Sequence, residues 1–123
     1  MIFDALDVVV VPFPFTDSAL VVRRPALVLS RLGFNGHGRT VMAMITDQRN
    51  DSWPLDTPID YQSVGLKMPS MIRMKFFTLD NRLIAGKIGH LPSADRRKLL
   101  QNLQQLLPPF DDRDLEPKRA RGR

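Results

Sequence analysis

The chain has 123 residues, 43% of them hydrophobic and 25% charged, and no cysteine. This is the size of one globular domain with room for a real core, and it excludes disulfide scaffolds, thiol catalysis and cysteine-held zinc. The net charge is +5, from 18 basic and 13 acidic residues, a mild bias that suits a polyanionic partner without specifying one.

Residues 1–7 are acidic rather than basic and contain no small-residue cleavage site, so no signal peptide is expected. No apolar stretch approaches the roughly 18 residues of a membrane span, which makes the cytoplasm the expected location. Residues 8–13 are β-branched and aromatic, with Pro12 and Pro14 about their end, and predict a strand leaving its sheet. Residues 26–30 predict a second, short buried strand, with Arg23, Arg24 and Pro25 just before it. The glycines of residues 33–38 predict a loop. Residues 39–46, apolar at 41–45, predict a third strand, and residues 47–58, with Asn50, Asp51, Ser52 and two prolines, a long polar loop. Ile59 is expected to pair briefly with a neighbour.

In residues 70–77, Met71, Arg73 and Lys75 alternate with Ile72, Met74 and Phe76, the pattern of a half-exposed strand. Residues 83–90 predict the last strand. A helix is predicted over residues 94–107, with Ser93 as N-cap and Asp95 favouring the first turn. Leu99, Leu100, Leu103, Leu106 and Leu107 form its apolar stripe, and Pro108-Pro109 stops it. Residues 1–107 thus read as one domain and 108–123 as a polar, flexible tail. The tail carries five basic and four acidic residues, so nearly all the net charge lies on the body. Many short strands and one terminal helix predict a mainly β fold, a small SH3-like curved barrel with the helix packed on it.

Several ordered blocks carry a family resemblance. Asp7-Val-Val-Val-Val-Pro-Phe and Arg23-Arg24-Pro25-Ala-Leu-Val-Leu-Ser resemble the first two strands of the MazF/PemK toxins of type II toxin–antitoxin pairs. Met44-Ile45-Thr46 resembles the end of that family's third strand, and Pro54-Leu-Asp-Thr-Pro-Ile-Asp60 the segment after it. Gly65-Leu-Lys-Met-Pro-Ser-Met-Ile-Arg73, Phe77-Thr-Leu-Asp-Asn-Arg-Leu-Ile84 and Ile88-Gly-His-Leu91 are similar to the later strands and the lead into the last helix. The resemblance covers most of residues 7–107. It implies a homodimeric SH3-like barrel that cuts single-stranded RNA without metal or other cofactor. It also implies a cognate antitoxin whose acidic, flexible segment folds across the basic groove.

Metal-free RNA cleavage uses the ribose 2′-OH as nucleophile and needs extra charge on the phosphoryl oxygens to be stabilised. Under the resemblance Arg24 supplies that charge, since its planar fork matches two phosphate oxygens and Pro25 restrains its backbone. The competing reading is a structural ion pair with Asp7 or Asp17. Thr46 becomes a hydroxyl donor to the same phosphate or to the leaving oxygen, or is simply a good strand residue. Arg73 lines the substrate groove, or is a solvated outward charge.

The chain also departs from the family. Lys75 stands where an acidic residue often follows two places after Arg73, and residues 16–22 replace a polar loop before the Arg-Pro step. Lys75 can hold a phosphate but does not replace a carboxylate as base; Asp17 is a base by position only. Trp53 either stacks on an unpaired base, a contact of roughly 1–3 kcal/mol, or pins its loop to the barrel. His37 and His90 lack partners at metal-ligand spacing and read as surface or satisfied histidines. A different class stays open beside the nuclease: a non-enzymatic binding module on the same barrel, either a degenerate toxin or a gyrase poison of the CcdB type.

Overall fold

The computed structural model describes residues 1–13 and 22–117. Its strands are β1 (Asp7–Phe13), β2 (Val22–Val28), β3 (Arg39–Asp47), β4 (Thr57–Pro58), β5 (Ser70–Asp80) and β6 (Gly86–His90). Short helices α1 (Leu32–Asn35) and α2 (Tyr61–Val64) interrupt them, and α3 (Ser93–Leu106) follows. The strands pair antiparallel in the order β4-β5-β3-β2-β1-β6, in one sheet curled into a half-barrel, so the mainly β reading with a C-terminal helix holds. No helix among the described residues is long and apolar enough to cross a membrane.

The near-continuous apolar runs of β1 and β2 have a simple cause: alternate side chains go to two separate cores. Val8, Leu27, Ala43, Ile45 and Ile72 join Leu91 and Leu99 in one. Val9, Val11, Ala26, Val28 and Met42 join Phe3 and Leu79 in the other. A sheet covered on both faces tolerates apolar residues at both parities, as a half-exposed sheet does not.

Several boundaries move. β2 begins at Val22, not at residue 26, because residues 22–25 pair with β1 although they pair with nothing in β3. Residues 33–38 are not a plain loop: Leu32–Asn35 is a helical turn, closed by the buried Asn35 amide, which donates to the carbonyls of Phe3 (2.7 Å) and Ser30 (2.9 Å). Residues 83–90 split into a 3-10 turn, Asn81–Leu83, and β6. Ile59 does pair, its amide donating to the Ser70 carbonyl at 3.2 Å.

Helix α3 starts one residue earlier than expected, with Pro92 rather than Ser93 at the N-cap and no capping side chain. Its predicted stripe is only partly used. Leu99 is buried and Leu103 packs on the core, but Leu100, Leu106 and Leu107 are exposed. The missing contact is polar. Asn102 is buried, and its amide donates to Thr57 Oγ1 (2.8 Å) and to the Leu55 carbonyl (3.2 Å). Beyond α3, Asp112–Leu115 form an exposed 3-10 turn closed by a reciprocal Asp111–Asp114 capping box.

Two close contacts hold the edges. Gly65 ends α2 with φ 94°, a conformation that suits glycine. The bare Cα of Gly89 lets β6 lie against α2: an added Cβ would stand 2.7 Å from the Val64 carbonyl oxygen. At the start of β1, buried Asp7 receives the Asp4 amide (2.9 Å), Lys87 Nζ (3.1 Å) and His90 Nδ1 (2.8 Å). Burial pushes the Asp7 pKa up, but these three contacts together outweigh it and hold the carboxyl below its usual 3.8.

Gly89→Ala should therefore destabilise the fold by about 1–3 kcal/mol through backbone overpacking, read as a lower urea midpoint at unchanged slope. The Asp7 contribution has the sign of a depressed acid. It is fully present above pH 3.8 and is lost as pH falls through the lower folded value. Asp7→Asn should lower stability at neutral pH and flatten its fall below about pH 4, checked by chemical denaturation across pH.

Candidate functional site

The half-paired stretch of β2 opens the site. From Ala26 onward β2 lies between β1 and β3; before it, Arg23, Arg24 and Pro25 pair with Pro12, Val11 and Val10 of β1 alone. Proline has no amide hydrogen to give to a ladder, so a strand that is singly paired at Pro25 suits it. Extending the β2–β3 register would set Arg24 opposite Thr46. Instead the strands part, and a trough of about 370 Å³ lies between Val22–Pro25 on one side and Ile45, Thr46 and Asp47 on the other.

The trough is cationic. Among the described residues, Arg23, Arg24, Arg49 and Lys67 line it against a single carboxylate, Asp47. That carboxylate is already engaged: Arg49 approaches it at 2.7 Å, and its backbone amide donates at 2.9 Å. The Arg49 side chain and then the Arg49 amide lower the Asp47 pKa, which makes it a weak proton acceptor. Arg24 is exposed, with its guanidinium 5.6 Å from the centre of the Phe13 ring, its diagonal neighbour across the β1–β2 pair. Among the described residues no carboxylate pairs with it. Asp7, one of the two partners considered for it, is taken by Lys87 and His90. Thr46 is buried except where it meets the trough, and its Oγ1 accepts from Asn50 Nδ2 at 2.7 Å.

Arg73 does not lie in this trough, nor does it point to solvent. It is buried and pairs with Asp56, Nη2 to Oδ2 at 3.1 Å and Nε to Oδ1 at 3.3 Å, with both side chains under a tenth exposed. Its Nη2 also donates to the Asp51 carbonyl, and the Trp53 ring centre lies 4.9 Å from the guanidinium carbon. Asp56 in turn accepts the Trp53 amide at 2.7 Å. The expected alternation holds on one face, where Ile72, Met74 and Phe76 reach the same core; on the other face the 51–56 loop covers Arg73. Met44 faces Arg73 and Ala43 faces Phe76, so Met74 and Lys75 are extra residues on β5. Ile72 is buried in the core and Arg73 beneath the 51–56 loop, while Lys75 is exposed beside Trp53, its Nζ 5.9 Å from the ring.

The residues read from the sequence thus fall into two groups. Arg24 and Thr46 share the trough. Trp53, Arg73 and Lys75 cluster around the 51–56 loop, where Trp53 remains 43% exposed and its cation contacts pin the loop. Asp17 lies outside the described residues. Arg49 and Lys67 were missed as lining residues. Arg49 stands in a polar loop with no pattern of its own, and Lys67 is one cation in a quoted block; only the folded chain brings them beside Arg24.

A sequence profile described as PemK-like, MazF-like toxin of type II toxin–antitoxin system matches residues 4–107. Among solved structures, MazF from Deinococcus radiodurans superposes with a TM-score of 0.68 at 23% identity, covering 87% of this chain and 97% of that one. A MazE–MazF structure from the same organism gives 0.69 at 25% identity, with 87% and 97% covered. An endoribonuclease in complex with its cognate antitoxin, from a mycobacterial species, gives 0.67 at 15% identity, with 88% and 98% covered. None of the curated protein sequences matches the chain.

Removing one partner of a buried ion pair leaves the other charge desolvated and alone, at a cost of about 3–5 kcal/mol. Arg73→Ala should lower thermal stability by that amount and free Trp53, seen as a red shift of its fluorescence. A surface role for Arg73 would leave both unchanged.

Proposed function

The chain belongs to the PemK-like, MazF-like toxin family of type II toxin–antitoxin systems, and on that premise we propose that it is a metal-independent endoribonuclease acting on single-stranded RNA in the cytoplasm. The observation that carries the reading is the meeting of Arg24 and Thr46 on one open, cationic trough. A phosphodiester seated there lies between a guanidinium fork and a hydroxyl. The ribose 2′-OH attacks its own phosphate, Arg24 neutralises the charge that builds on the phosphoryl oxygens, and Thr46 donates a hydrogen bond to one of them. The bond to the 5′ oxygen of the next nucleotide breaks, leaving a 2′,3′-cyclic phosphate and a 5′-hydroxyl.

Electrostatics supply most of the catalysis in this reading, because Asp47 is a poor base while Arg49 holds it. Asp17 stays a proposal for the base by position alone. Lys75 and the half-exposed Trp53 support a second contact to the strand, Trp53 stacking on a base and Lys75 meeting a phosphate. Arg73 enters this reading as the residue that holds Trp53, rather than as a ligand of RNA.

The cognate antitoxin of the proposal is a protein with an acidic, flexible segment. The excess of cations in the trough supports such a partner, which would occlude Arg24 while neutralising its charge. A homodimer belongs to the same proposal. The exposed Leu100 and Leu107 of α3 support a surface that protein covers.

Purified protein incubated with single-stranded RNA in EDTA should release fragments ending in cyclic phosphate. The 2′-deoxy analogue should stay intact, since it lacks the nucleophile. Arg24→Ala should lose about 10²–10³-fold in kcat/KM, the usual loss for one charge-stabilising group. Cutting of the deoxy analogue, or full activity in Arg24→Ala, would rule this mechanism out. Growth arrest without RNA fragments would point to a binding toxin.

A further inference from the structure

A threonine hydroxyl has one hydrogen to give and two lone pairs to receive with. At Thr46 one lone pair is occupied by the Asn50 amide at 2.7 Å. Among the described residues no carbonyl or carboxylate accepts the Thr46 hydrogen, while Thr46, otherwise buried, contributes to the lining of the trough. The sense of the bond matters. A hydroxyl that receives from an amide N–H keeps its own hydrogen for a third group; one that donates to a carboxylate presents only lone pairs, which repel phosphate.

The chain builds this contact locally. Asp47, at the end of β3, accepts the Asn50 backbone N–H on its carbonyl (3.1 Å) and the Arg49 backbone N–H on its carboxylate (2.9 Å). The resulting turn folds Asn50 back over Thr46, four residues earlier. The Gln48 amide ties the same turn to the Pro69 carbonyl (3.0 Å), next to β5. Immediately after Asn50, the Asp51 carbonyl is held by the buried Arg73. Asn50 is therefore fastened on both sides although its own surface is exposed.

We infer that Asn50 is a positioning residue: it orients the Thr46 hydroxyl as a hydrogen-bond donor toward an anionic phosphate in the trough. The inference rests on the nuclease reading for its catalytic consequence, but the orientation itself acts on any phosphodiester bound there. It assigns a role in the site to a side chain in a polar loop.

The test compares Asn50→Asp, Asn50→Ala and Ser52→Asp. An aspartate is nearly the same shape but, once ionised, can only accept, so it reverses the bond to Thr46. Ser52→Asp adds the same charge to the same exposed loop without touching Thr46. With single-stranded RNA, Asn50→Asp should lose about 10²-fold in kcat at neutral pH, within the range of one lost transition-state donor, and regain it as pH falls and the new carboxyl protonates. Asn50→Ala should lose about 10-fold, as an unrestrained hydroxyl still donates part of the time. Ser52→Asp should stay within about twofold, as surface changes do. In a Thr46→Val background, Asn50→Ala should have no further effect.

Normal kcat in Asn50→Asp, an equal loss in Ser52→Asp, or additive losses from Thr46→Val and Asn50→Ala would overturn the inference. A second readout separates it from the nuclease reading: the affinity for a 2′-deoxy oligonucleotide, which binds without being cut. If the native protein cuts no RNA, that reading fails. Weaker oligonucleotide binding in Asn50→Asp than in Ser52→Asp would still uphold the role of Asn50, and equal binding would overturn it.

Discussion

A single guanidinium, that of Arg73, organises the loop that follows β3. It is buried, and a buried guanidinium must have its hydrogens taken. The Asp56 carboxylate and the Asp51 carbonyl take them, and the Trp53 ring lies against the cation. Burying such a pair adds little net stability, since the desolvation of two charges offsets most of their attraction. Its effect is geometric. Residues 51–56 place no side chain in either core, and the ion pair gives them one arrangement. Leu55 accepts a positive φ of 65° there, a strain of about 1–3 kcal/mol for a residue with a Cβ, with its carbonyl secured by Asn102 of α3.

The trough is bordered by Arg49, in the turn just before that loop, and it opens through incomplete pairing of β2. β2 could have run beside β3 along its whole length, which would have placed Arg24 against Thr46 in a closed sheet. Pro25 lies where the second partner is lost, and the strand ends carrying Arg24 and Thr46 remain near each other but unjoined. Val22, Arg23 and Arg24, which have no partner in β3, are exposed, so water can satisfy their free backbone groups. The electrostatic consequence is a set of cations faced, among the described residues, by Asp47 alone, which Arg49 engages, while Asp7 is held away from the trough by Lys87 and His90, and Asp56 by Arg73. Mutual repulsion among these cations is relieved when an anion enters, which favours a phosphate or a carboxylate-rich segment.

The two cores explain why such a small chain can leave a cleft open. Strands β1, β2 and β3 are covered on both faces, so each contributes side chains to two clusters. Helix α3 closes one face through Leu99 and the Asn102 hydrogen bonds, and leaves Leu100 and Leu107 to solvent. The fold is thus secured at the centre of the sheet, away from the strand ends that carry the trough.

How much of this was legible in the chain depends on the range of the interaction concerned. The strand character of residues 8–13 and 39–46, the helix after residue 93, and the candidacy of Arg24 and Thr46 could be read directly, because β-branching, leucine spacing and a family motif are local properties. Arg73 could not. Its alternation with Ile72 left a groove-lining charge and an outward charge both open, and the 51–56 loop covers it instead through Asp56, the Asp51 carbonyl and Trp53; a covering loop is a fact about two segments, and one strand's pattern does not record it. Asn102 sits on a helix face where leucine spacing predicted apolar contacts, and its partners, Leu55 and Thr57, lie more than forty residues earlier. Arg49, Lys67 and Asn50 are polar residues in polar segments, which the primary sequence leaves free to point anywhere. Local preference therefore determined which segments become strands or helix and named two residues of the trough. Which cations face it, which guanidinium is buried, and which amide holds the threonine were decided only when distant segments were pressed together, because burial and hydrogen-bond partnership are properties of pairs.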